Sequence, residues 1–250
     1  MLGLWSRDTI AWIIVAALLP LAAIALAEGD AMRMAVVLAV AAIWQAAFRW
    51  THGVPLSPTP VVMAVTVAIL APDLAPWQLA LGTSFGIVVG ELLFGGWGRN
   101  VIAAPVVVLA FLSLSFPAAA PADPGPVVAH AALATAAILW VAGILSLPVI
   151  AAAMVPILLF GTSLPDLMAS GPLVVGLVLL LADPVTTPTS LAGRIAYGGL
   201  AGTLTALLAE TQGIAAVGPI VFATLLAQIF APLIDYFAIA ARLARRKRHA

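Results

Sequence analysis

Val67-Ala68-Ile69-Leu70-Ala71-Pro72-Asp73 and Leu179-Leu180-Leu181-Ala182-Asp183-Pro184 are the two stretches that decide the fold. Each closes a short apolar run, residues 61–71 or 173–182, and opens a proline-containing acidic turn, residues 71–76 or 182–188. A helix needs roughly 20 apolar residues to cross the hydrocarbon core, and both runs fall short of that. Proline lacks an amide donor and disfavours helix in the residue before it, so both runs should end as broken helices. Broken backbone at membrane depth is tolerated only when it is buried in protein or lines a cavity.

The rest of the chain explains why a membrane is the right setting. Of 250 residues, 64% are hydrophobic and 8% charged, whereas globular chains average about 45–50% and about 25%. Such a sequence cannot build a polar shell. It has no cysteine, which excludes disulfides, thiolate metal sites and thiol catalysis. His52, His130 and His249 are scattered and form no pair at metal-ligand spacing. His130, inside an apolar run, fits either a haem or quinone ligand or a hydrogen bond within the bundle. No nucleophile triad, P-loop or nucleic-acid-binding pattern is present.

Apolar runs at 10–27, 31–50, 77–94, 101–116, 127–147, 147–164, 190–209 and 214–241 read as full spans. The first reads as a retained helix rather than a signal peptide, because Trp5-Ser6-Arg7-Asp8 is no basic cluster. With the two broken runs, the chain is expected to be all-α and integral to the membrane, with about ten segments. The broken runs sit at matching places. A Gly-bearing span follows each, with Gly82 and Gly86 in one and Gly198, Gly199 and Gly202 in the other. A polar turn and a helix with an internal proline, Pro105 or Pro219, come next. The separation is about 110 residues throughout. This predicts a duplicated five-segment unit, residues 1–120 and 121–250, within one membrane domain. An odd number of crossings per unit inverts the second copy, and paired interrupted segments point to a central site.

Half of the ten basic residues lie in the last nine positions: Arg242, Arg245, Arg246, Lys247 and Arg248. Basic clusters next to a span stay cytoplasmic, so both termini are expected on the cytoplasmic side. The same cluster suits anionic lipid.

Ionisable residues within spans are costly and are functional candidates by default. Glu91, Asp183 and Asp235 are the candidates for ion or proton coupling. Asp183 could equally cap the helix that follows it. Asp73 and Glu210 lie at span ends, where solvent reaches them. Gly95, Gly96, Gly98 and Asn100 form a glycine-rich turn whose amides could face a phosphate or a flat ring. Thr186 and Thr187 open a helix N-terminus suited to an anion. Ordinary turn and capping chemistry accounts for both patterns as well.

Three motifs carry a family resemblance. Ala75-Pro76-Trp77 leads through Gly90-Glu91 to Phe94-Gly95-Gly96-Trp97-Gly98-Arg99-Asn100; then come Ala182-Asp183-Pro184-Val185-Thr186-Thr187-Pro188 and Phe230-Ala231-Pro232-Leu233-Ile234-Asp235. In this order they resemble the NqrB/RnfD family, related membrane subunits of the sodium-pumping NADH:quinone oxidoreductase and of the Rnf electron-transport complex. The resemblance implies ten membrane helices in two inverted repeats and a bacterial inner-membrane location. It also implies flavin-mediated electron transfer among partner subunits. Family members hold FMN on a threonine of a Ser/Thr-Gly-Ala-Thr motif. That motif does not occur in this sequence, and the linker that would carry it is only residues 117–126. Covalent FMN is therefore expected to be absent, while non-covalent FMN or riboflavin at the broken turns stays open.

The leading expectation is a non-autonomous membrane subunit of an Rnf/Nqr-like complex. It would relay electrons toward quinone or another acceptor, with ion transport as a coupled step. The alternatives are a small-solute or ion channel or transporter on the same inverted-repeat fold, or an assembly subunit with no redox role.

Overall fold

The computed structural model describes residues 6–212 and 216–247, with side chains described up to Arg242 apart from Arg7. Among these residues every regular element is helical. The helices are α1 (Arg7–Ala17), α2 (Leu19–Ala27), α3 (Ala31–His52), α4 (Thr59–Leu70) and α5 (Pro76–Gly90). They continue as α6 (Ala104–Ser115), α7 (Pro126–Val141), α8 (Leu147–Leu159), α9 (Leu164–Ala169) and α10 (Gly171–Val175). The last two are α11 (Leu191–Gln212) and α12 (Val217–Lys247). A 3₁₀ turn, Leu92–Phe94, follows α5, and α10 runs on as a π-helix over Gly176–Leu181.

Five helices are long and apolar enough to cross a membrane: Asp8–Ala27 (α1 with α2), Ala31–His52, Pro76–Phe94, Leu191–Gln212 and Val217–Arg242. Five apolar helices are shorter: Thr59–Leu70, Ala104–Ser115, Pro126–Val141, Leu147–Leu159 and Gly171–Leu181. The architecture is thus an all-helical, multi-pass membrane bundle. The expected breaks at α4 and α10 are present. Three runs expected at spanning length are shorter, and the backbone says why. Residues 101–103 stay in the turn before α6, whose first turn takes Pro105. Gly143 (φ 71°) follows the end of α7, and Gly161 (φ 96°) the end of α8. These left-handed residues stop the helices.

Helix α3 packs on α4 and α5, and α5 packs on α6; later in the chain α8 packs on α11, and α11 on α12. Helices α6 and α12 meet across the two halves of the chain, as do α2 and α7. Membrane helices gain little from the hydrophobic effect between them and rely on close packing at small residues. Gly86 and Gly202 show this. A Cβ on Gly86 would lie 2.2 Å from a Val108 methyl, and one on Gly202 would lie 2.1 Å from the Ala153 carbonyl oxygen.

Charge is segregated along the bundle axis. At one end Arg33 donates to the carbonyls of Ala71 and Pro72, the Asp73 amide donates to Ala120, and Gly171 lies against Pro124. Glu28, Asp30, Asp73, Asp123, Asp166 and Glu210 belong to the loops and helix termini of this end, with Arg33 as its basic residue. The opposite end gathers Arg49, Arg99, Arg194 and Arg242, with Asp8 near Ser57 and Pro58 as an acid among them.

Candidate functional site

The glycine-rich turn after α5 is organised around Glu91. Helix α5 stops at Gly90, and the chain then turns through Gly95, Gly96 and Gly98, at φ 90°, 94° and 93°. Side chains other than glycine rarely adopt this left-handed region. Glu91 is 1% exposed. Its Oε1 accepts from the Ser57 hydroxyl at 2.8 Å, and its Oε2 accepts from the Thr59 hydroxyl. Gln45 on α3 donates to Ser57 at 2.5 Å. Ser57 and Thr59 flank the N-terminus of α4, where the helix dipole favours a negative charge. The carboxylate is therefore held by hydroxyl donors and a positive helix end inside the protein.

The second broken turn is built differently. The π-helix leaves the carbonyls of Leu180 and Leu181 outside a regular helical ladder, and buried side chains answer them. Gln228 Nε2 donates to Leu180 at 3.0 Å, and the Tyr197 hydroxyl donates to Leu181 at 3.2 Å. Asp183 Oδ2 accepts from the amide and the hydroxyl of Thr186, both at 3.0 Å. Asp183 thus caps its own turn and not the N-terminus of α11. That helix is capped by Ser190, whose hydroxyl accepts from the Gly193 amide at 3.1 Å.

Asp235 holds the same turn from α12. Its Oδ2 accepts from the amide and hydroxyl of Thr189 at 3.1 and 2.6 Å. Its Oδ1 accepts from the amide and hydroxyl of Ser190 at 3.1 and 2.5 Å. A carboxylate offers about four acceptor positions, and here these protein donors fill them. Among the three acids expected to couple ions, Asp235 therefore acts as an anchor of the 188–190 turn.

Glu91 and Asp183 border one cavity of about 60 Å³, together with Thr59, Trp97 and Asn100. Asn100 also borders a neighbouring cavity of about 160 Å³ at the basic end, with Thr186, Thr187 and Asp235. The central cavity can hold a few waters or a partly hydrated cation. It is well below the roughly 300 Å³ at which ring-sized ligands are usually accommodated. Among the described residues no group of three or more His, Cys, Asp or Glu side chains could hold a metal ion.

The glycine and threonine turns do not fit the phosphate of FMN. The amides of Gly95, Gly96 and Gly98 donate to Leu92 O, Glu91 O and Asn100 Oδ1. The amides of Thr186 and Thr187 donate to the Asp183 side chain and carbonyl. The sequence suggested amides facing a ligand; the turns themselves consume them. Asn100 closes its own turn as well, donating to Ile102 O at 3.2 Å. His130 bonds back to the Pro126 carbonyl of its own helix at 2.6 Å.

Sequence reasoning missed Gln45, Ser57, Thr59, Tyr197 and Gln228. The two glutamines carried a usable signal, since an amide inside an apolar span needs partners just as an acid does. Attention to ionisable groups alone passed over them.

A multi-pass bundle that brings a buried and a half-buried carboxylate to the border of one cavity is a membrane protein built around an interior acidic site. More specifically, the chain belongs to the NQR2, RnfD, RnfE family, whose sequence profile matches residues 5–124 and 120–243. It is 26% identical to the NqrB subunit of the Na(+)-translocating NADH-quinone reductase of Chromohalobacter salexigens, over 85% of this chain and 66% of that protein. The protein of the same name from Haemophilus influenzae is 26% identical over 85% of this chain and 67% of its own length. That from Pseudomonas paraeruginosa is 27% identical over 75% and 60%. The chain spans about two thirds of the length of these relatives.

Proposed function

We propose that the protein is a membrane subunit of an electron-transport complex of the Rnf/Nqr kind, acting with partner redox subunits and moving a cation at Glu91 and Asp183. The observation that carries this reading is the shared cavity. Two carboxylates from separate turns, one after α5 and one after the π-helix, border one small cavity that is otherwise lined mostly by apolar side chains. Such groups are costly in a membrane unless they serve a path or a site. The relatives' name, an Na(+)-translocating NADH-quinone reductase subunit, supports both the redox setting and the cation.

Ten segments in two inverted repeats, residues 1–120 and 121–250, belong to this proposal. The pairing of α3 with α5 and of α8 with α11 supports them, as do the meetings of α2 with α7 and α6 with α12. The arginine-rich end is read as cytoplasmic, in a bacterial inner membrane. Lipid and quinone are the expected small partners. Electron transfer needs a flavin or iron–sulfur partner.

The test uses the complex in proteoliposomes. Glu91→Gln and Asp183→Asn should abolish cation uptake while leaving the complex assembled. Wild-type uptake by both variants would sink the proposal. A second reading is an ion transporter on the same fold without redox chemistry, favoured by the internally bonded amides of the glycine turn. Cation uptake by the chain alone, without electron donor, selects that reading.

A further inference from the structure

Gln228 lies on α12 with 0% of its surface exposed and bonds three separate segments. Its Oε1 accepts from the Ala103 amide at 2.9 Å. Its Nε2 donates to the Leu180 carbonyl and to the Thr186 hydroxyl, each at 3.0 Å. Thr186 passes the contact on, donating its amide and hydroxyl to Asp183 Oδ2. On the other side, Ala103 borders the central cavity beside Asn100, which closes the turn that begins at Glu91. Hydrogen bonds therefore run from Ala103 through Gln228 and Thr186 to Asp183, and the backbone from Ala103 through Ile102, whose carbonyl accepts from Asn100, carries the link on to the Glu91 turn.

We infer that Gln228 is a positioning residue that ties the orientation of Asp183 to the turn carrying Glu91, so that the two carboxylates meet a monovalent cation as one site. This rests on the proposed cation role of the cavity and adds what sets its geometry. The residue type follows from the task. The position needs one acceptor for an amide and two donors for a carbonyl and a hydroxyl, and a side-chain amide supplies both. Leucine would fill a similar volume but strand the Ala103 amide and the Leu180 carbonyl. Glutamate would keep the acceptor for Ala103 and lose the donors on the other side.

The test combines hydrogen exchange with cation dependence, both on the full chain in its complex. In Q228L, exchange should quicken in residues 100–104 and in residues 183–187, although these lie about 80 residues apart. In Q228E only residues 183–187 should quicken, and the same holds for T186V. The half-saturating cation concentration for uptake should rise about 10-fold in Q228L and in T186V, with the maximal rate kept. Because the two act in series, the double variant should rise no further. Equal exchange in Q228L and wild type overturns the relay, and so does a double variant that multiplies the single effects. Should Q228L fail to assemble, Q228E and T186V carry the same decision: unchanged exchange at residues 183–187 in both overturns it. If E91Q and D183N leave cation dependence at the wild-type level, the cation reading falls and takes the functional half of the inference with it. The exchange data then still distinguish that failure from a failure of the relay.

Discussion

Asp235 accepts both the amide and the hydroxyl of Ser190, at 3.1 and 2.5 Å, and so fastens the last helix to the residue that caps α11. With the matching pair from Thr189, four donors converge on one carboxylate. Such a group holds structure in place and has little capacity left for a moving cation. Asp235→Asn replaces one acceptor oxygen with a donor and sets it against donors. A hydrogen bond to a charged group is worth about 1.5–3 kcal/mol. The variant should therefore melt several degrees lower in detergent, with cation dependence of the surviving protein unchanged. Thermal denaturation and uptake on the same preparation check this, and a raised half-saturating cation concentration would return Asp235 to the site.

Ser57→Ala is expected to act in the opposite way. The bundle keeps its packing, because one hydroxyl leaves and Thr59 stays. Glu91 loses a donor to Oε1 and its link to Gln45. The half-saturating cation concentration should shift about 10-fold, as for other changes behind a ligand, with little change in melting. A shift in melting without a shift in cation dependence would mean that Ser57 serves only to seat α4.

These two acids show how far the sequence could be read. The broken ends of α4 and α10 were visible because Pro72 and Pro184 punctuate apolar runs, and proline acts locally. The lengths of α6, α7 and α8 were not visible. Their runs are apolar on every face, and the helices stop at turns that composition does not mark, at Gly143 and Gly161. Glu91 and Asp183 stood out as charges in an apolar chain, but their meeting in one cavity depends on how separate turns pack. Asp235 was equally conspicuous, and its role depended on Thr189 and Ser190, some 45 residues earlier.

The glycine contacts separate packing from site chemistry. Gly202→Val would drive a side chain into the backbone carbonyl of Ala153, which cannot move without parting α8 from α11. Gly199→Ala, with nothing within 4 Å of its added carbon, is the matched control. Size-exclusion profiles should show loss of the monodisperse species for the first and a normal profile for the second. Normal behaviour of Gly202→Val would contradict the close approach of these helices.

The axial separation of charge makes orientation testable in a chain that has no cysteine of its own. Arg99 and Arg194 belong to one end of the bundle, and Asp73 and Asp123 to the other. Basic residues near membrane helices are retained on the cytoplasmic side. Single cysteines at 123 and at 99 should therefore label differently with a membrane-impermeant maleimide. In intact cells stripped of their outer membrane, Asp123→Cys should react and Arg99→Cys should not. In inside-out vesicles the pattern should reverse. Arg33 adds a control: as the basic residue at the acidic end it bonds Asp30 at 3.4 Å and the end of α4, so its charge is engaged locally. Arg33→Gln should leave the labelling pattern as it is, because the opposite end keeps its arginine excess. If Arg99→Cys reacts in the stripped cells, the arginine-rich end faces outward, and the cavity beside Asn100 would then open to the periplasm.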